Sequence, residues 1–203
     1  GRWPIAAAWI IVLGLDVACA IRGLPPAEFR AGALVLLPVA AYLLSHQLVH
    51  RNSRWRAPKE VCVAVLLGAG AAVFVASRPG ADLPAMAIPL TLFVLLCFAN
   101  CALISVWENE VDRMHGQTSL ALQYARAAAV SAGLPWVIAA IAVAVGIGLG
   151  SRVGAAASCA AASGLLLGLV NRAEPRIGRV RARVLADVAL MTPAACLLVA
   201  FLA

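Results

Sequence analysis

Seven long apolar stretches, separated by short polar segments, make up most of this 203-residue sequence. An α-helix needs about 20 apolar residues to cross the hydrocarbon core of a bilayer, and each stretch is close to that length. Hydrophobic residues make up 64% of the chain and its mean hydropathy is +0.96, so little sequence remains for a soluble domain. We therefore predict an all-α fold, a polytopic membrane helix bundle of about seven transmembrane helices that forms a single domain over residues 1–203. The predicted spans are residues 4–21, 31–49, 60–77, 85–107, 127–149, 153–170 and 184–203.

This composition excludes soluble enzymes, secreted disulfide scaffolds and disordered linkers. All six cysteines fall within apolar stretches, where they are typical of small packing residues rather than of disulfides or a metal cluster. We expect the first stretch to be a span and not a signal peptide, because no small-residue cleavage site followed by a soluble domain comes after it. The longest polar segments, residues 108–126 and 171–183, are predicted to be loops.

The charge of the chain is 16 basic minus 9 acidic residues, or +7, and its basic residues lie between the apolar stretches. There they set topology and meet anionic lipid headgroups, so we expect a lipid bilayer and no nucleic acid as partner. With seven spans, one face holds 12 Lys and Arg residues and the other holds four. The richer face contains the N-terminus, Lys59, and residues 108–126 and 171–183. The positive-inside rule places this face, and the N-terminus with it, in the cytoplasm. We predict the bacterial inner (cytoplasmic) membrane as the location.

The second long polar segment carries a group of arginines with two possible roles. Its guanidinium groups could hold a diphosphate or a phospholipid headgroup, or serve only to fix topology. Asp187 follows one turn later inside an apolar stretch, where an acid needs a partner, and we expect that partner to be Arg183. The candidate headgroup ligands are Arg176, Arg179, Arg181 and Arg183.

The segment from Asn100 to Leu120 carries the chemistry that is easiest to interpret. Glu108 and Asp112 are four residues apart, so a helix that continues past the membrane edge presents both carboxylates on one face, with Asn100 two turns earlier. Such a group of oxygens could bind magnesium, which prefers one or two carboxylates together with substrate phosphate. The alternative is that the acids cap a helix end and pair with Arg113 or Arg126.

The pattern Glu108-x-x-x-Asp112-x-x-x-Gly116-x-x-Ser119-Leu120 resembles the second acidic motif of UbiA-type intramembrane prenyltransferases. That motif is cytoplasmic in the family and is followed by three spans, as this one is predicted to be. The resemblance implies a UbiA-like fold and transfer of an isoprenyl chain from a diphosphate to an aromatic or lipid acceptor. It also implies Glu108 and Asp112 as magnesium ligands, and a substrate cavity that includes Asn100, Tyr42 and His46.

The first acidic motif of the family is missing from this sequence. It ends the second span in the family, and here Ser45 and Val49 stand where its carboxylates are expected. The family also has nine spans rather than seven. A single Glu–Asp pair cannot balance a diphosphate with two divalent ions, which favours a protein without catalytic activity.

Two functions follow from this degenerate motif. The first is a non-catalytic accessory or scaffold subunit of a larger membrane complex, in contact with other membrane protein subunits and able to bind an isoprenoid or quinone-like lipid. The alternative is a magnesium-dependent prenyltransferase with divergent ligands. His46 and His50 could also form a metal or haem site. The simpler interpretation is that these two side chains lie at the membrane interface and reach headgroups and water. A transporter is the least favoured, because no internal repeat is visible.

Overall fold

A computed structural model describes residues 3–44, 58–116, 119–149 and 151–193. Within these ranges the chain forms nine α-helices and no strands. Their bounds are α1 Trp3–Gly23, α2 Pro26–Leu44, α3 Lys59–Ala76, α4 Leu83–Trp107, α5 Asn109–Met114, α6 Leu120–Gln123, α7 Ala127–Gly148, α8 Ser151–Ile177 and α9 Arg179–Ala189.

Six of these helices, α1 to α4, α7 and α8, are long and apolar enough to cross a membrane. This confirms a polytopic helical protein suited to a lipid bilayer. The predicted seventh span, residues 184–203, is described only as far as Pro193, and residues 194–203 lie outside the described residues.

The prediction that residues 171–183 form a loop is wrong. Helix α8 continues to Ile177, passing through Pro175, and α9 begins at Arg179 after a single residue. Between them Gly178 has a φ of 79°, a left-handed conformation that glycine adopts without a steric penalty. Hydropathy marks where a chain leaves the apolar layer, but a helix of arginine, alanine and glutamate can continue beyond that point.

Helices α4, α7 and α8 form the centre of the bundle, with α3 and α9 packed against them and α2 packed on α3. Small residues allow the close approach of α7 and α8. A Cβ added to Gly164 would lie 2.8 Å from the backbone oxygen of Pro135, and one added to Gly168 would lie 2.5 Å from the indole of Trp136. These two positions therefore fix how closely the helices pack.

Helices α1 and α2 contribute little to this core. None of the side chains described in α2 is buried, and the same holds for the apolar window of α1. Both helices are apolar, so their surfaces are suited to lipid or to another membrane protein.

We predict that Gly164→Ala lowers the free energy of unfolding by about 1 to 3 kcal/mol, because the new methyl group overlaps the backbone of α7. Gly133→Ala is the matched control, since no atom of the described ranges lies within 4 Å of a Cβ at Gly133. The control should be neutral, or stabilising by up to about 1 kcal/mol through helix propensity. Thermal unfolding in one detergent measures both variants. Equal losses of stability would contradict the packing described here.

Candidate functional site

The three segments that the sequence assigns to one face of the membrane meet at one end of the bundle. Interactions between side chains join α3 to α5, α4 to α8, and the junction of α4 and α5 to α9. The α4 to α8 contact is a hydrogen bond in which Trp107 Nε1 donates to Asn171 Oδ1 at 3.1 Å. We call this region the charged end and define it by Lys59, Glu60, Glu108, Asp112 and Arg183.

Lys59 and Asp112 form the more buried ion pair of the charged end. The Lys59 ammonium donates to both carboxylate oxygens of Asp112, at 2.9 and 3.0 Å. The Asp112 side chain is only 6% exposed, whereas that of Lys59 is 26% exposed. Because a carboxylate buried to this extent needs a compensating charge, the pair ties the start of α3 to α5.

Glu60, next to this pair, is a buried acid that is only partly satisfied. Its residue is 2% exposed, and its Oε2 accepts a hydrogen bond from the Leu120 backbone N–H at 3.2 Å. Within the described residues, its Oε1 and the hydroxyl of the buried Ser119 have no hydrogen-bond partner. Glu60 lies outside the acidic motif and does not match its spacing, although an acid at the first turn of an apolar stretch is itself a signal.

Glu108 has a different partner from Asp112. Arg183 Nη1 donates to Glu108 Oε1 at 2.7 Å, and both side chains are substantially exposed. Glu108 lies between α4 and α5, with φ −99° and ψ 9°, and the helix is interrupted there. The two acids of the motif are thus bound by cations of α9 and α3, and not by Arg113 or Arg126.

Asn100 and Asp187 meet deeper in the bundle. Asn100 is buried, and its Nδ2 donates to Asp187 Oδ1 at 3.1 Å, while its own Oδ1 has no partner in the part of the chain that the structure describes. The expected pairing of Asp187 with Arg183 is therefore wrong. An i, i+4 contact within one helix is geometrically available, but contacts with α4 and with Glu108 are formed instead.

Two of the three residues predicted for a substrate cavity lie near the charged end. Tyr42 on α2 lies near Glu60 and Cys62 of α3 and Cys101 of α4, and Cys101 lies near Asp187. Asn100 precedes Cys101 on α4. The third residue, His46, lies outside the described residues, as do Ser45 and Val49.

An apolar cavity of about 650 Å³ lies toward the opposite end of α4 and α8. Neither Tyr42 nor Asn100 lines it. Its lining is formed by Met86, Pro89, Phe93, Leu96, Ala155, Ala156, Cys159, Ala160, Ser163, Leu190 and Pro193.

The carboxylates of the charged end do not form a ready metal site. In the part of the chain that the structure describes, no three His, Cys, Asp or Glu side chains converge closely enough to hold a metal ion. A magnesium ion at Glu108 and Asp112 would have to compete with Arg183 and Lys59. In this arrangement a cation from another helix neutralises each acid of the motif, Lys59 for Asp112 and Arg183 for Glu108.

Comparisons with protein-family models, curated proteins and solved structures found no match for this chain. The UbiA resemblance therefore stays a prediction from the residues quoted above.

We predict that Lys59→Met lowers the free energy of unfolding by roughly 3 kcal/mol, because it leaves the Asp112 carboxylate buried without a cation. The double variant Lys59→Met with Asp112→Leu should recover most of that loss, since it removes both charges. Arg183→Met is the control at the exposed pair and should cost less than about 1 kcal/mol. Chemical denaturation in one detergent compares the three variants. A double variant as unstable as Lys59→Met alone would contradict the structural role of the pair.

Proposed function

We propose that this protein is a non-catalytic accessory or scaffold subunit of a larger membrane complex, with a UbiA-like fold whose active site is degenerate. The observation that carries the proposal is the pairing of both motif acids, Glu108 with Arg183 and Asp112 with Lys59. We further propose that the protein lies in the bacterial inner membrane, and the distribution of basic residues supports an N-terminus in the cytoplasm.

The electrostatic argument starts from what a magnesium diphosphate needs. Each carboxylate that binds a divalent ion must be available to it, and diphosphate adds negative charge that the metal ions and the protein must balance together. At the charged end the two motif acids are already neutralised within the chain. Displacing Lys59 would also break a largely buried ion pair, which is strongly destabilising. The sequence supplies no acids at Ser45 and Val49 to offset this cost.

The apolar outer surface of α1 supports the accessory role. Gly14 and Ala18 are exposed and four residues apart, and no described atom lies within 4 Å of a Cβ placed on Gly14. Small residues at this spacing allow another transmembrane helix to pack closely. We propose that a helix of a partner subunit contacts α1 here.

We predict that Gly14→Leu with Ala18→Leu abolishes recovery of a stoichiometric complex from native membranes, because bulky side chains prevent close helix packing. Val12→Leu with Cys19→Leu is the matched control, since these residues lie on the opposite side of α1 and are also exposed. The isosteric variant Glu108→Gln with Asp112→Asn should leave the complex intact. Mild solubilisation followed by native gel electrophoresis and mass spectrometry measures each yield. A complex lost in the isosteric variant but retained with leucines on α1 would contradict the proposal.

The second candidate function is a magnesium-dependent prenyltransferase. The observation that favours it is the gathering of polar groups from α2, α3, α4, α5 and α9 at one end of the bundle. These groups include one oxygen each of Glu60 and Asn100 that has no hydrogen-bond partner among the described residues. A ligand with hydrogen-bond donors could satisfy such oxygens.

We predict that the purified full chain releases no pyrophosphate from isoprenyl diphosphates in the presence of magnesium and aromatic acceptors, because its motif acids are already paired. The measurement is a coupled pyrophosphate assay over a series of chain lengths, on protein shown to be folded by its cooperative unfolding. Magnesium-dependent release that disappears in the Glu108→Gln, Asp112→Asn variant would establish the enzyme instead.

A further inference from the structure

Helix α9 presents three distinct sides, of which the first packs inside the protein. Ala182, Ala186 and Ala189 are buried, and α9 packs mainly on α8. Their small side chains let α9 lie close to its neighbour. The orientation of the helix about its own axis is therefore fixed by these alanines.

The second side of α9 carries the polar contacts to α4 and to its junction with α5. Arg183 donates to Glu108, and Asp187 accepts from Asn100. These two residues are four apart, so they project from the same side of the helix. Arg183 and Asp187 therefore both have polar partners within the protein.

The third side projects away from the bundle and is apolar. Val180, Val184 and Val188 follow one another at intervals of four residues and are 76%, 59% and 58% exposed. In a chain that spans a membrane, a row of exposed valines beside α8 and α4 is suited to contact lipid chains.

Arginines surround the start of this apolar side. Arg176, Arg179 and Arg181 are exposed at the corner between α8 and α9. Arg179 and Arg181 are the sequence neighbours of Val180, so they point to either side of the valine row. The other two arginines of the segment have partners in the chain, since Arg172 lies over the Trp136 ring at 5.0 Å and Arg183 binds Glu108. The nearby Glu174 is two residues from Arg176 on α8, a spacing at which helical side chains do not face each other.

We propose that this corner binds an anionic phospholipid. Arg176, Arg179 and Arg181 contact headgroup phosphates on both sides of the valine row, and Val180, Val184 and Val188 contact acyl chains; we call these six residues the lipid-binding face. Guanidinium groups form charge-assisted hydrogen bonds with phosphate, and a basic group beside an apolar helix surface matches the two parts of a lipid. Arg183, which the sequence grouped with the other three, is not part of this face because it binds Glu108.

The test compares lipid binding by the purified full chain in detergent, using native mass spectrometry. Phosphatidylglycerol and phosphatidylcholine with identical acyl chains are the probes, because they differ in net headgroup charge. We expect the protein to retain phosphatidylglycerol preferentially. The ratio of bound phosphatidylglycerol to bound phosphatidylcholine should fall by about fivefold for each arginine removed. The variant Arg176→Gln, Arg179→Gln, Arg181→Gln should therefore no longer prefer phosphatidylglycerol. The corresponding triple lysine variant should keep most of it, because the charge is preserved.

The matched control removes three other arginines, as Arg22→Gln, Arg30→Gln, Arg126→Gln, and should retain the preference for phosphatidylglycerol. Val180→Ser with Val188→Ser should weaken the binding of both lipids alike, since it changes the acyl-chain contact only. Equal retention of the two lipids by the unmodified chain, or an unchanged preference in the triple glutamine variant, would overturn the proposal. Displacement of phosphatidylglycerol by an equal concentration of inorganic pyrophosphate would also overturn it, by showing a site for soluble diphosphate. A cooperative unfolding transition in every variant confirms that each is folded.

Discussion

The ion pair between Lys59 and Asp112 is the interaction on which the charged end depends. It joins the first residue of α3 to a carboxylate on α5, and the neighbouring Glu60 accepts a hydrogen bond from the start of α6. Two adjacent residues of α3 therefore hold both short helices that follow α4. Since the lysine is the only one in the chain and its partner is almost fully buried, no other lysine could take its place. The acid that the sequence motif presents as a metal ligand is here part of the structure's internal charge balance.

Glu108, the other acid of the motif, is also neutralised by a cation, but this ion pair is weaker. Glu108 and Arg183 lie at an exposed edge, where water and salt screen the interaction, so this pair contributes orientation more than stability. The pair also aligns α9 with the junction of α4 and α5. The side of α9 with Arg183 and Asp187 thereby faces the polar groups of α4 and α5, and the side with the three exposed valines faces the bilayer. The proposed lipid-binding face is a consequence of this alignment, and it does not depend on whether the protein is a scaffold or an enzyme.

Much of the fold class could be predicted from the sequence, because the length of an apolar stretch directly reflects the thickness of a bilayer. The grouping of Lys59 with residues 108–126 and 171–183 could be predicted as well, since antiparallel spans return basic segments to the same face. The ion-pair and hydrogen-bond partners of the acidic residues could not be predicted. Hydropathy does not reveal that Asp112 reaches Lys59 across 53 residues, or that Asp187 contacts Asn100 rather than Arg183. Hydropathy also does not reveal the helix over most of residues 171–183, because a polar segment can be helical as readily as it can be a loop.

We propose that the motif acids Glu108 and Asp112 serve the structure and do not bind a metal–diphosphate complex. Electron paramagnetic resonance of Mn²⁺, which replaces magnesium at oxygen sites, tests this most directly in the purified full chain with and without an isoprenyl diphosphate. We expect equal amounts of bound Mn²⁺ in the unmodified chain and in the Glu108→Gln, Asp112→Asn variant. Saturable binding that requires the diphosphate and disappears in that variant would contradict it.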